Sequence, residues 1–153
     1  LALALKDALL QRGARVIMTR DADVAVALEE RLPLAERAMA DAFISVHANA
    51  CSEARDPIAA RGASIHYYHA PSRILAAAVG ARLAAALAER GVPFNGLMAD
   101  NLHVIRETTW FPAILVETCF ISNPEDEALL LSENDLQALA TSLAHGIVDA
   151  FTE

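Results

Sequence analysis

An α/β domain, with a mostly parallel twisted sheet and helices on both faces in three layers, is the fold class that this 153-residue sequence predicts. Three observations carry it. Segments with apolar residues at helical spacing alternate with short apolar runs of strand length. Two of those runs, residues 42–46 and 113–116, read as buried strands and stop at an ionisable residue, His47 and Glu117. Glycines close helical segments, as Gly13 and Gly91 do.

In chain order, Leu1, Leu5, Ala8, Leu9 and Arg12 share one helical face, and Gly13 suits its C-terminal cap. Residues 15–19 read as a short strand. Leu28, Leu32, Ala35 and Met39 mark the next amphipathic helix. Pro33 inside it removes a helical hydrogen bond, at about 3 kcal/mol, so a kink or a late start at Leu32 is expected. Residues 50–61 are small, charged and Pro-containing, which predicts a surface loop. Residues 62–68 are rich in β-formers and predict a strand. Pro71 and Ser72 open a long helix with Leu75, Val79, Leu83 and Leu87 on its buried face. Residues 92–100 read as loop and 102–105 as a short strand. After the 113–116 run, Ser122 or Asn123 caps a helix with Pro124 in its first turn and Glu125 completing a capping box. Ser132 and Asp135 start a final helix over 136–151. No repeat or linker interrupts the chain, so residues 1–153 are read as one domain.

Composition narrows the function. The chain is 55% hydrophobic, which excludes a disordered polymer. Its net charge is −8, and it has no Lys/Arg cluster, which argues against a nucleic-acid partner. No apolar run reaches the roughly 18 residues of a membrane span; the longest, 74–88, is broken by Gly80 and Arg82. Cys51 and Cys119 form no CxxC pair, so a thiolate metal site is not indicated. They read as two small hydrophobes, with a disulfide left open for an exported protein. The chain starts directly in a helical pattern, without Met or signal peptide, which reads as an N-terminal truncation.

The chemistry should lie at His47 and Glu117. Ligands of open α/β sheets bind at the carboxyl ends of strands. If the two strands are parallel neighbours, the imidazole and the carboxylate face one crevice. A carboxylate set against an apolar wall is raised in pKa and suits general acid–base work. Taken singly, each has a plain alternative: a hydrogen-bonded structural histidine, or a capping or ion-paired glutamate. One histidine is not a metal site, since catalytic zinc takes three protein ligands. His66 and His69, three apart in or near a strand, tend to opposite faces and read as surface residues. His103 is a weak substrate-contact candidate, and His145 reads as structural.

Several segments, in order, resemble the catalytic domain of zinc-dependent N-acetylmuramoyl-L-alanine amidases. They are Thr19-Arg20-Asp21, Leu28 to Arg31, Phe43 to Asn49, Asn101-Leu102 with Val104 to Arg106, Pro112 to Glu117, and Phe120 to Pro124. The resemblance implies a peptidoglycan hydrolase acting through zinc-activated water. It assigns His47 as a zinc ligand and Glu117 as the catalytic carboxylate. Arg106 is expected to contact substrate, with a surface ion pair as the alternative. Asn49 is expected to orient His47 or line the cleft, with a loop role as the alternative. The family's other two zinc ligands, a His in a Gly-rich turn and a following Glu, would precede residue 1. The pair Thr118-Cys119 departs from the small residues usual after the catalytic Glu, and His103 departs from an aromatic or apolar one. The resemblance further implies peptidoglycan as partner, a monomer, a periplasmic or cell-wall location, and an activator that stays open. The competing readings are a non-catalytic wall-binding or regulatory module of the same fold, and a related zinc exopeptidase.

Overall fold

A computed structural model describes residues 1–51, 56 and 58–152. The element order is α1 (Ala2–Leu10), α2 (Leu28–Arg37), β1 (Phe43–Asn49), β2 (Ala63–Tyr67), α3 (Ser72–Ala88), β3 (Phe94–Ala99), α4 (His103–Arg106), β4 (Ala113–Phe120), α5 (Pro124–Leu131) and α6 (Glu133–Thr152). The strands form one sheet in the order β1-β4-β2-β3. β1 pairs with β4 and β2 with β3 in parallel, while β4 and β2 run antiparallel. The α/β fold class is as the sequence predicts.

Strand alternation explains the two cores. In β4, Ile114 and Val116 face one side and Ala113 and Leu115 the other. The first side packs against α1, α3 and α6 through Leu5, Leu9, Val79, Leu83, Leu139 and Leu143. The second packs against α2 and α4 through Leu32, Ala35, Val104 and Ile105, with Phe43 of β1. Helices therefore cover both faces. α3 and α6 approach so closely that a Cβ on Gly146 would stand 2.5 Å from the Val79 Cα.

Five local expectations are corrected. Residues 15–19 form no strand: among the described residues nothing pairs with them, and a β-forming sequence without a ladder partner stays irregular. Val16 still packs on the larger core, while Ile17 is exposed. Residues 92–100 are not all loop, because β3 occupies 94–99. Its register against β2 advances three residues for two, from Phe94 to Leu97, so Asn95-Gly96 is a bulge in an edge strand, with Gly96 at φ +100°. Residues 102–105 belong to the turn of helix α4, not to a strand; a short apolar run does not distinguish the two. α2 starts at Leu28 and continues through Pro33, not late at Leu32. Burial of Leu32 and Ala35 offsets the missing bond, and Glu30 Oε2 accepts from Ala27 N–H at 3.3 Å at the entry. Asn123 caps α5, accepting from Glu125 and Asp126 N–H, but Glu125 does not close a capping box. Its carboxylate instead takes Arg61 Nη1 at 2.6 Å. Of the loop expected over 50–61, residues 52–55 and 57 lie outside the described residues, and the described ones belong to no helix or strand.

Candidate active site

His47 and Glu117 are register partners on the parallel strands β1 and β4. Alternation puts both on the α2/α4 side, with Leu115 and Phe43 deeper on that face. The two strands are parallel neighbours, so His47 and Glu117 share one sheet face. Thr118 Oγ1 donates to the His47 carbonyl at 3.0 Å, tying the two strands together where a small residue was expected.

His47 is open to the crevice, and its Nε2 pairs with the buried Ser45 hydroxyl at 2.9 Å. Its pKa is lowered from 6.5, first by partial burial and then by the Arg31 and Arg20 guanidiniums. Both arginines are held by main-chain carbonyls of the segment before α2: Arg31 Nη2 donates to Val26 O at 3.1 Å and Arg20 Nη1 to Val24 O at 3.2 Å. The effect keeps the imidazole neutral, the form that binds metals.

Glu117 is half-buried, and burial raises its pKa above 4.5, with the charge of His66 acting the other way. Its Oε2 is buried and has no hydrogen-bond partner among the described residues. An unpartnered carboxylate oxygen beside apolar side chains is costly unless it is used. Two strand positions further, Cys119 is fully buried. Burial pushes its thiol up to about 11, with Asp126 and Glu117 adding to the rise, so it is an inert thiol. Both cysteines are free, and the disulfide is not formed.

At this point β1 supplies His47 and β4 supplies Glu117, with His66 of β2 on the same sheet face. Among the described residues no three His, Cys, Asp or Glu side chains converge to hold a metal ion. No group of these described residues thus matches the three ligands a catalytic zinc takes.

The other expected site residues lie at the rim. Asn49 ends β1, and its Oδ1 accepts from Ala50 N–H at 2.8 Å, a turn-forming bond. Arg106 ends α4, with Nε on Glu107 at 2.6 Å and Nη1 on Asn101 Oδ1 at 3.0 Å. His103 lies in a groove between α2 and α4 with Glu29, Glu36 and Glu107. His145 accepts from Arg12 across α1 and α6 at 2.6 Å, a structural pairing.

Sequence reasoning missed two groups. His66 is not a surface residue: its side chain is 12% exposed and stands on the same sheet face as Glu117. The signal was present in a repeated Ser-x-His, Ser45-Val46-His47 and Ser64-Ile65-His66, since period two puts each Ser and His on one face. Asp126 is fully buried and accepts from Gly62 N–H at 2.6 Å, Phe120 N–H at 3.1 Å and Arg61 Nε at 3.3 Å. It pins the start of β2 to the end of β4, beside the site.

The chain is similar to known proteins over most of its length. A family model described as N-acetylmuramoyl-L-alanine amidase matches residues 1–149. The chain is 33% identical over 138 residues to the probable cell wall amidase LytH of Staphylococcus aureus, covering 90% of this chain and 43% of that protein. The chain therefore spans less than half the length of that curated relative. Among solved structures it is similar to the catalytic domain of CwlV, an N-acetylmuramoyl-L-alanine amidase from Bacillus (Paenibacillus) polymyxa var. colistinus. That match has 32% identity and a TM-score of 0.88, over 98% of this chain and 80% of that one. It is also similar to the N-acetylmuramoyl-L-alanine amidase AmiC2 of Nostoc punctiforme, at 30% identity and TM-score 0.90, over 99% and 80%.

Proposed function

Because the chain belongs to the N-acetylmuramoyl-L-alanine amidase family, we propose that it carries the catalytic carboxylate of a peptidoglycan hydrolase. The bond cut is the amide between N-acetylmuramic acid and L-alanine of the stem peptide. The observation that carries the reading is the juxtaposition of His47 with Glu117, whose buried Oε2 has no hydrogen-bond partner among the described residues. Glu117 takes the proton of the attacking water and returns it to the leaving amine, one carboxylate serving both steps. Its raised pKa brings it nearer the working pH of that transfer. His47, kept neutral and oriented by Ser45, serves as one zinc ligand. When bound at such a centre, zinc lowers the pKa of its water and polarises the scissile carbonyl. The remaining ligands are proposed to come from protein outside these 153 residues. Arg106 and Asn49 are proposed to form the substrate rim, and the working location is the periplasm or the cell wall.

One observation favours a second reading. The described residues hold too few donors for a metal, which suits a non-catalytic wall-binding module of the same fold. Digestion of purified muropeptides by the full-length protein separates the readings. Release of intact stem peptides supports the amidase, single amino acids point to a zinc exopeptidase, and binding without release points to the module.

A further inference from the structure

Glu117 lies between two strands that each present a Ser-x-His pair on its own face. On β1 the pair is Ser45 and His47; on β2 it is Ser64, the register partner of Glu117, and His66, the partner of Leu115. Only the second pair continues. His66 Nδ1 meets Asp100 Oδ2 at 2.6 Å, and His66 Nε2 meets Ser64 Oγ at 2.9 Å. Asp100 follows β3 and is itself fixed by donating its N–H to the Tyr67 carbonyl at 2.9 Å. A carboxylate only accepts, so Nδ1 carries a proton and the ring orientation is set from both ends. A side chain clamped at both nitrogens cannot turn without breaking two hydrogen bonds. Two of the three groups come from β2 and the third from the residue after β3, so the clamp is a product of the pairing of those two strands.

We propose that His66, held by Ser64 and Asp100, is a positioning residue for Glu117, fixing an electropositive imidazole edge on the β2 side of that carboxylate. This rests on the reading of Glu117 as the general base. The groups that bear on Glu117 are then few. His47 faces it from β1 and His66 from β2, and Cys119 follows it on β4. Arg31 and Arg20 act on His47. A catalytic carboxylate held by burial alone would be free to rotate; a fixed imidazole beside it selects one orientation.

The test uses two readouts. In steady-state hydrolysis of muropeptides by the full-length protein, His66→Ala and Asp100→Ala lower kcat about tenfold, the effect of losing an outer-shell partner, with KM unchanged. Asp100→Glu, which keeps the carboxylate, restores most of the loss. A rise in KM at unchanged kcat would make His66 a substrate contact and overturn the proposal, as would wild-type kinetics in both alanine variants. Should the wild-type protein release no stem peptide at all, the amidase reading falls by itself. The positioning claim is then read from the 13C carboxyl resonance of Glu117 in this chain at a fixed neutral pH. That resonance moves in His66→Ala and in Asp100→Ala, and stays in place in His145→Ala, a remote control. An unmoved resonance in the first two overturns the claim. Asp100, whose side chain is 46% exposed, gives a variant that keeps the fold.

Discussion

At the residue scale, the two strand-end groups are strained in opposite electrostatic senses, and each strain has a testable sign. The folded chain holds Glu117 more protonated than the unfolded chain does. Stability from this group therefore falls as pH rises from about 4.5 through the raised pKa, and the cost is fully present above that raised value. Glu117→Gln should raise stability at pH 7 by about 1 kcal/mol while abolishing hydrolysis, a trade seen where function needs a destabilised group. Urea unfolding of both proteins checks this, and a less stable variant would contradict it. His47 runs the other way: its lowered pKa means that stability is lost as pH falls below 6.5. His47→Gln should flatten that acid-side slope between pH 6.5 and the lowered value, measured by thermal melts across the range. Both residues were legible because an apolar run ending in an ionisable group is a rare pattern. His66 was not, because its partner Asp100 lies 34 residues away and only the fold joins them.

At the element scale, two contacts lock the pieces that carry the site. Asp126 accepts from three donors, one on β4 and two in the segment before β2, while fully buried. Asp126→Ala leaves those donors unpaired and should cost about 3 kcal/mol in urea unfolding. A cost near zero would mean that water replaces the carboxylate. Gly146 lets α6 lie against α3, where a methyl would meet the Val79 backbone. Gly146→Ala should destabilise by about 2 kcal/mol despite its better helix propensity, because backbone cannot yield as a side chain tip does. The long helices and the strands β1, β2 and β4 were legible from periodicity. β3 was hidden because its bulge uses Asn95-Gly96, a turn signature, and α4 because four apolar-rich residues carry no period. Residues 15–19 have strand composition without a strand neighbour, which composition does not report.

At the scale of the whole molecule, the sheet separates a large core from a small one, and the site sits on the small side. The large core joins α1, α3, α5 and α6, whereas the α2/α4 side is made by seven buried residues. Amide hydrogen exchange should follow that division. Protection should be greatest in α3, α6 and β4 and weakest in α2, which contains Pro33. Equal protection in α2 and α3 would contradict the two-core description. The proposed catalytic face lies over the smaller core, beside α2 and the segment before it, whose Arg20 and Arg31 act on His47. The fold class was legible as a whole because alternating helices and buried strands admit few layer arrangements.

The central claim is that Glu117 acts as the base and not as a metal ligand. It is tested most directly by measuring zinc content and stem-peptide release together in full-length Glu117→Gln. Unchanged zinc with no release is the predicted result. Lost zinc would make Glu117 a ligand, and persistent release would remove it from the chemistry.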